Sequence, residues 1–380
     1  MNNLRQTNFS GSSRLMAAKN AAIDEVRAAP LLVLLIFVPV VILTDMALPE
    51  AHTLLFALSI LAIIPLAALL SRATEAVSSR TGDAIGGLLN ATLGNLTELV
   101  ISLAALQAGQ YLLVKASIAG AIVTNTLFML GGAFLLGGLK HHVQEFNRIS
   151  ARFQASLLFL ATVAVLVPSV ISSVDHTSAL SQKLSLGLAI ILIAVYALGM
   201  LFSLKTHREL FASAAQAEEE HHAWPIQIAV TVLVIVTLLV AFISEIFVGS
   251  VQVAAQNIGM TPAFVGFIVV ALVGGAAEMT TAFSAARANR LDLSIGIALG
   301  SASQIALFVA PVLVITSYFL GPEPMSLEIW PGAVTMVLIA TMAASLLSNG
   351  GRGVWYIGVL ALAVYAIFGL TLFLLPPASP

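Results

Sequence analysis

The sequence contains no cysteine and little charge, and each shortage excludes a class of function. Zero cysteines exclude disulfides, thiolate metal sites and cysteine nucleophiles. Charged residues make up 9% of the 380 residues, whereas they approach about 25% in ordinary soluble domains. Hydrophobic residues make up 59%, and the mean hydropathy is +1.02. The composition therefore predicts an integral membrane protein, whose main partner is the lipid bilayer.

The formal net charge of -2 and the lack of a dense basic tract exclude nucleic acid as an expected partner. Residues 1–29 are mostly polar or small and carry scattered basic residues, and they are too long for a secretory signal. We therefore expect a retained, cytoplasmic amino-terminal segment. The sequence gives no prediction of the oligomeric state.

Eleven apolar runs are long enough to cross a bilayer, which takes about 17 to 25 residues. Hydrocarbon admits only helices and closed barrels, and these runs lack the alternation of barrel strands. We therefore predict an all-α polytopic membrane protein with eleven transmembrane helices. The approximate ranges are 30–44, 53–70, 84–107, 113–138, 154–172, 184–204, 226–247, 262–286, 293–318, 327–348 and 354–375.

The distribution of Lys and Arg predicts the orientation. With a cytoplasmic amino terminus, fourteen of these residues fall in inside segments and only Lys115 and Lys183 fall outside. This bias follows the positive-inside rule, and a wrong helix count would have scrambled it. We expect the carboxy terminus outside, and we favour a bacterial inner membrane over an organelle.

The chain also contains an internal duplication at a spacing of 180 residues. Its matching pairs are Gly86 and Gly266, Gly94 and Gly274, Glu98 and Glu278, and Gly120 and Gly300. The segments are a leading helix (30–51), a first five-helix repeat (52–204), an acidic cytoplasmic linker (205–225) and a second five-helix repeat (226–380). Because five is odd, the repeats face opposite ways, as in secondary transporters that bind their substrate near mid-bilayer.

Glu98 and Glu278 each lie deep inside an apolar run, where an uncompensated charge costs several kcal/mol. From the rise of an α-helix, each lies roughly 14 Å deep in a hydrocarbon core of ~30 Å. The two carboxylates are therefore expected near the same plane, where they titrate as a coupled pair. An acid in this position is a functional hypothesis by default.

The following spans supply neutral oxygen donors, among them Asn125 in span four and Ser301 and Gln304 in span nine. Gly296 and Gly300 form a GxxxG, for which close helix packing is as good an interpretation as a ligand role. Two carboxylates with amide and hydroxyl oxygens describe a hard-cation site such as Ca²⁺ prefers. The predicted cation- and proton-binding residues are Glu98, Glu278, Asn125, Gln304, Asn95, Gly94, Gly274 and Ser301, of which Glu98 and Glu278 are the metal ligands.

This site predicts exchange. When it is empty it carries about two negative charges in a low dielectric, and one divalent cation or two protons neutralise it. If only neutralised forms reorient, cation movement one way is coupled to proton movement the other way. We expect no resident cofactor, since Ca²⁺ and H⁺ are the transported species.

At these residues the sequence resembles the calcium/proton antiporters of the cation/proton exchanger family, within the calcium/cation antiporter superfamily. The resemblance is carried by GGLLNATLGNLTELVISL, GAIVTN, VGGAAEM and ALGSASQIALFVAP and extends over nearly the whole chain. It implies that Glu98 and Glu278 bind the cation, helped by Asn125, Gln304 and backbone oxygens. It also implies access-path acids at Glu75 and Glu245.

Two further features bear on the resemblance. The run Glu218, Glu219 and Glu220 lies where the family has an acidic helix, and it reads as a calcium sensor or as a solvated linker. The family usually has GNAAEH in its second repeat, whereas this chain has Gly275 for the Asn and Met279 for the His. Because of this departure, the sequence supports antiport more strongly than it supports calcium as the transported cation.

Three alternatives stay open. One is a same-fold exchanger for another cation, such as Mn²⁺, Na⁺ or K⁺, or a Na⁺-driven calcium exchanger. Against sodium coupling, the spans carry only two acids at mid-depth, and this small number favours protons as the coupling ion. A second is an intramembrane enzyme, which we do not expect because the GxGD sequence of the aspartyl proteases is absent. A third is a channel, which would conduct without proton countertransport.

Overall fold

The computed structural model describes residues 30–81, 83–171, 178–210 and 224–374. The predicted amino-terminal segment 1–29 and the run Glu218 to Glu220 lie outside the described residues.

The first half of the described chain is a series of apolar helices. A 3₁₀ stretch, Pro30–Ile36, leads into α1. The α-helices are α1 (Phe37–Ala47), α2 (His52–Ser78), α3 (Asp83–Leu93), α4 (Leu96–Gln107), α5 (Tyr111–Val123), α6 (Leu130–His141), α7 (Arg148–Ile171) and α8 (Ser178–Leu201). A π-helical turn, Thr124–Met129, joins α5 to α6, and another, Phe202–Thr206, follows α8 and precedes a 3₁₀ turn, Arg208–Leu210.

The second half repeats this plan of long and interrupted helices. Its α-helices are α9 (Ile226–Ile258), α10 (Pro262–Phe264), α11 (Ala271–Gly274), α12 (Ala276–Arg287), α13 (Leu291–Gln304), α14 (Ala310–Thr316), α15 (Pro331–Ser348) and α16 (Trp355–Leu374). π-helical turns join α10 to α11 (Val265–Val270) and α13 to α14 (Ile305–Val309).

In the described part of the chain, eight helices are long and apolar enough to cross a membrane, and ten if each of two bent pairs is one span. The bent pairs are Ile85–Leu93 with Leu96–Gln107, at 43°, and Pro262–Gly274 with Ala276–Arg287, at 59°. A shorter apolar helix, Leu31–Ala47, lies where the leading span was predicted. The protein is therefore a helical integral membrane protein with eight to ten spans among the described residues, and the count of eleven stays a prediction.

Helices α2 and α9 run antiparallel along each other. The Asn257 amide donates to the Thr53 hydroxyl at 3.1 Å, and the Phe56 and Phe247 rings stack with centroids 5.4 Å apart. Further along, Val77 belongs to one buried cluster with Ala229. Rising residue numbers in α2 thus meet falling numbers in α9, so these two helices have opposite directions.

Helix α5 and the turn Val265–Val270 touch through their backbones at two glycines. A Cβ on Gly120 would overlap the Phe267 backbone, and a Cβ on Gly266 would lie 2.6 Å from the Ala116 Cβ and 2.9 Å from the Leu113 carbonyl oxygen. Only glycine allows this approach, which brings α5 of the first half against the π turn Val265–Val270 of the second half. We call this contact the glycine crossing.

A two-stranded antiparallel sheet, which sequence analysis did not predict, pairs β1 (Val143–Glu145) with β2 (Arg352–Val354). The strands extend from α6 and lead into α16, and those helices meet closely because Gly358 lies against the Gly131 carbonyl. The sheet therefore ties together two parts of the chain that are distant in sequence.

The predicted span 327–348 begins later than expected, at Pro331, with extended backbone at Trp330. Proline suits the first position of a helix because its missing N–H would have no partner there. Residues 325–329, which we call the strap, form no helix, and their apolar side chains Met325, Leu327 and Ile329 are buried.

Candidate functional site

Both predicted acids lie in the first turn of a helix that begins inside a bent pair. Glu98 follows the break at Gly94 and Asn95 and lies in α4, and Glu278 follows the break at Gly275 and lies in α12. Glycine favours such breaks because it adds no side chain and little backbone restraint. The amino-terminal end of a helix carries partial positive charge, which stabilises a carboxylate in its first turn.

The structure brings the Glu98 carboxylate against the second break. A Cβ on Gly274 would lie 3.0 Å from Glu98 Cγ and 3.2 Å from Glu98 Oε1. Glu98 is 9% exposed, and Glu278 Oε2 is buried without a hydrogen-bond partner. The centre of the protein thus holds two acids from the two halves, one of which presents an unsatisfied oxygen.

A chain of hydrogen bonds runs through four of the predicted residues. Asn95 Nδ2 donates to Gln304 Oε1 at 2.6 Å, and Ser301 Oγ donates to Asn95 Oδ1 at 2.7 Å. Asn125 Nδ2 in turn donates to Ser301 Oγ at 2.8 Å. This chain ties the start of α4 to α13 and to the π turn that carries Asn125. Such a connected network fixes side-chain orientations in a buried site.

The remaining predicted glycine, Gly94, lies beside the same network. A Cβ on Gly94 would be 3.6 Å from Gln304 Oε1, and one on Gly275 would be 3.6 Å from Asn125 Oδ1. The eight residues predicted to bind the cation and protons are therefore gathered around the two breaks. Their roles as ligands stay a prediction.

A small cavity adjoins Glu98 and is lined by further hydroxyls. Ser102 Oγ and Ser117 Oγ, which lie 3.5 Å apart, face it, together with apolar residues of the π turns. Its lining is otherwise apolar, so these hydroxyls and the Glu98 carboxyl are the polar groups of the cavity.

Two polar partners near the site were missed from the sequence. Gln154 accepts a hydrogen bond from Ser303 at 2.8 Å, and the hydroxyls of Tyr365 and Thr124 are 3.1 Å apart. The only signal for either is a polar group in an apolar span, which says nothing about its partner.

The GxxxG pair is not a packing contact in this structure. Apart from the adjacent backbone of its own helix, no described atom lies within 4 Å of a Cβ built on Gly296 or Gly300. Gly296 instead lines a second cavity with Asp292, Asn147, Ser150 and other residues of α7 and α13. This cavity lies between α7 and α13, and Gly300 is buried.

The predicted access-path acids lie on two long helices other than those that carry the breaks. Glu75 and Glu245 are both exposed, on α2 and α9. Because these helices are antiparallel, Glu75 lies toward the end where Val77 meets Ala229, and Glu245 lies nearer the end where Thr53 meets Asn257. Their role in access stays a prediction.

Within the described ranges, no three His, Asp or Glu side chains cluster as a metal site. The residues gathered at the breaks are two carboxylates and neutral oxygens, which are the ligands that hard cations prefer.

The sequence is similar to a known family over most of its length. The sodium/calcium exchanger protein family matches residues 51–205 and 228–374. A Ca²⁺/H⁺ antiporter from Aphanothece halophytica is 40% identical over 362 residues, covering 90% of this chain and 96% of that protein. The Ca²⁺/H⁺ antiporter ChaA from Bacillus subtilis is 41% identical over 324 residues, covering 84% and 92%.

Solved structures resemble the fold. Native YfkE superposes with a TM-score of 0.79 at 38% identity and covers 91% of this chain and 99% of its own. The H⁺/Ca²⁺ exchanger CAX gives a TM-score of 0.68 at 17% identity, with coverages of 92% and 88%, and supports the fold alone.

Proposed function

Because the chain belongs to the sodium/calcium exchanger protein family, we propose that it exchanges Ca²⁺ for H⁺ across a membrane by alternating access. The observation that carries this proposal is the Glu98 carboxylate lying against Gly274, four residues before Glu278 with its unpartnered Oε2. The names of the relatives as Ca²⁺/H⁺ antiporters support the choice of ions.

Electrostatics gives the coupling. Two ionised carboxylates in a buried centre repel each other and lack water, so the empty, ionised site is unfavourable. One divalent cation or two protons remove that penalty. Glu98 and Glu278 therefore hold either cargo in turn, while Asn125, Gln304, Asn95 and Ser301 orient the site and add oxygen ligands.

The architecture that we propose has eleven membrane helices: a leading helix and two inverted five-helix repeats. The antiparallel pairing of α2 with α9 and the two separate matches to the family support it. The Lys and Arg distribution supports a cytoplasmic amino terminus and an outside carboxy terminus. We propose a bacterial inner membrane as the location. Inverted repeats place the cation near mid-bilayer and supply two equivalent facing states.

The test is Ca²⁺-dependent proton movement in proteoliposomes with an imposed pH gradient. Glu98→Gln and Glu278→Gln each keep the side-chain shape but remove the charge, so we expect at least about a hundredfold loss of initial rate. Glu145→Gln is the matched control, since the Glu145 side chain is 73% exposed at the protein surface. Full activity in either site variant would refute the two-acid mechanism.

A second candidate is an exchanger of the same fold for another cation. It is favoured by Gly275 and Met279, which place no oxygen donor beside Glu278. The same vesicles decide the matter: a response to Mn²⁺, Na⁺ or K⁺ but not to Ca²⁺ would select it. Cation flux without proton movement would instead indicate a channel, and flux driven by a Na⁺ gradient would indicate a sodium-driven exchanger.

A further inference from the structure

The two helix breaks differ in what satisfies one backbone carbonyl. In an uninterrupted α-helix the Asn95 N–H would donate to the Ala91 carbonyl. In the described part of the chain that carbonyl accepts instead from the Tyr196 hydroxyl, at 2.8 Å, and the Asn95 N–H makes no bond to it. At the matching positions of the second break, 180 residues later, the Gly275 N–H does donate to the Ala271 carbonyl, at 3.2 Å. A side chain from another helix thus replaces a backbone bond at the first break.

Tyr196 reaches this carbonyl from α8. Its side chain is 7% exposed, and the hydrogen bond to Ala91 is buried. A phenol hydroxyl has a single proton to donate, and here that proton is given to the backbone. Loss of the hydroxyl would leave a buried carbonyl without this donor, which is costly, so the contact holds α3 in place just before the break.

The ring of Tyr196 makes a second contact, with the other half of the protein. It stacks on the Phe308 ring, with centroids 5.5 Å apart and an interplanar angle of 30°. Phe308 belongs to the π turn that begins directly after Gln304. Tyr196 therefore touches the helix that leads into Asn95 and the turn that follows Gln304, and these two side chains hydrogen-bond at 2.6 Å.

A movement of the first break would carry the first acid with it. Helix α4 begins at the break, and Glu98 lies in its first turn, three residues after Asn95. Because the Tyr196 hydroxyl is engaged by the backbone, it reaches the site by fixing the break and does not serve as a ligand.

We propose that Tyr196 is a positioning residue for cation binding: its hydroxyl holds the first break, and its ring holds the π turn Ile305–Val309. The two contacts keep Asn95, Gln304 and Glu98 in the geometry that binds the cation. This inference rests on the proposed exchange function. Positioning of this kind raises affinity because the binding groups need not be ordered when the cation arrives.

Tyr196→Phe tests the hydroxyl, since it keeps the ring and its stacking on Phe308. We expect the KM for Ca²⁺ in the proteoliposome assay to rise about tenfold, the upper worth of one hydrogen bond expressed as an equilibrium, with the maximal rate within about twofold of native. Ca²⁺ binding to the detergent-purified protein, measured by isothermal titration calorimetry, should weaken by the same factor. Tyr356→Phe is the matched control, because Tyr356 is 57% exposed on α16, and it should leave both measurements unchanged.

Two further variants separate positioning from packing. Phe308→Leu keeps the hydroxyl and removes the stacking, and we expect KM to rise about threefold, as the loss of one aromatic pair predicts. Tyr196→Leu loses both contacts and should raise KM more than Tyr196→Phe does. If Tyr196 only filled space, Tyr196→Phe would at most lower the melting temperature and would keep the native KM.

A native KM and native calorimetric affinity in Tyr196→Phe would overturn the inference and leave the exchange function standing. A fall in maximal rate at unchanged KM would overturn it as well, because the hydroxyl would then serve a step other than binding. Failure of the native protein to couple Ca²⁺ to protons would refute the proposed function instead.

Discussion

At the two ends of the long helical span Tyr111–His141, neighbouring segments are held by different kinds of hydrogen bond. At the Tyr111 end, the strap is held by hydroxyls from three helical regions: the N–H groups of Met325, Leu327 and Ile329 donate to Ser317, Ser185 and Ser169, at 2.7, 2.9 and 3.0 Å. At the His141 end, β1 and β2 pair through their backbones. Side chains thus secure one end and backbone the other.

This difference determines which substitutions at each end are expected to destabilise the protein. In the strap, each serine is the acceptor for a buried N–H, so losing one hydroxyl leaves an unpaired donor. In the sheet, most side chains can change without touching the ladder. There, sensitivity is confined to residues in close contact, such as Gly353 against Phe134 and Gln144, whose amide donates to the Ala286 carbonyl at 2.9 Å.

Residues at the sheet end also hydrogen-bond the helix that carries Glu278. Gln144, Lys140 and His141 all hydrogen-bond carbonyls at the carboxy-terminal end of α12. Polar and basic groups suit that end because its carbonyls carry partial negative charge. A change at the sheet therefore reaches the acid through one rigid helix of twelve residues.

The largest expected effect is that of Gly353→Ala. Its Cβ would overlap the Phe134 ring and approach Leu291 Cδ2 to 2.7 Å, so we expect destabilisation of about 3 kcal/mol from overpacking. Thermal unfolding in detergent measures it. Arg352→Ala in the same strand removes only an exposed ion pair with Glu145, at 2.9 Å, and should cost less than about 1 kcal/mol. Equal effects would contradict the close packing of Gly353 against Phe134 and Leu291.

The second-largest loss of stability is expected for Ser185→Ala and Ser169→Ala, which remove hydroxyls that hold the strap. Each leaves a buried strap N–H without its acceptor, for an expected loss of about 1 to 3 kcal/mol in the same unfolding assay. Ser181→Ala is the control on the helix of Ser185, since its hydroxyl only meets Glu328 at 3.3 Å and caps no strap N–H. A control that matched the two site variants would show that the hydroxyls do not secure the strap.

The smallest expected effect is that of a disulfide across the sheet. Val143 and Val354 are register partners, so Val143→Cys with Val354→Cys places two thiols within bonding range. Helices α6 and α16 already touch through Gly131 and Gly358, so oxidation should leave transport within about twofold. Transport lost on oxidation and regained on reduction would mean that these helices separate during the cycle.

Much of this molecule could be predicted from composition and spacing. Long apolar runs require helices in hydrocarbon, and the 180-residue register pointed to Glu98 and Glu278 before their neighbourhood was known. The breaks at Gly94 and Gly275 could not be predicted as breaks, because glycine in a membrane helix serves packing as often as bending. Gly296 and Gly300 show the same ambiguity, since their surroundings depend on where another helix lies.

The strap and the sheet were missed for a different reason. Alternating burial at Met325, Leu327 and Ile329 adds hydrophobicity just before α15, so the apolar run looks longer than the helix. Each strand has three residues, and the two strands lie about 200 residues apart in the sequence. No local sequence pattern therefore predicts that they pair.

The π-helical turns at Thr124–Met129 and Ile305–Val309 affect how relatives should be aligned. A π turn closes its hydrogen bond one residue later than an α turn, so the faces before and after it are out of step with a regular helix. Asn125 lies in one such turn and Gln304 directly precedes the other. A single-residue gap in a relative therefore belongs inside these turns, where it restores a regular helix, rather than in the flanking segments, where it would rotate site residues away from the acids.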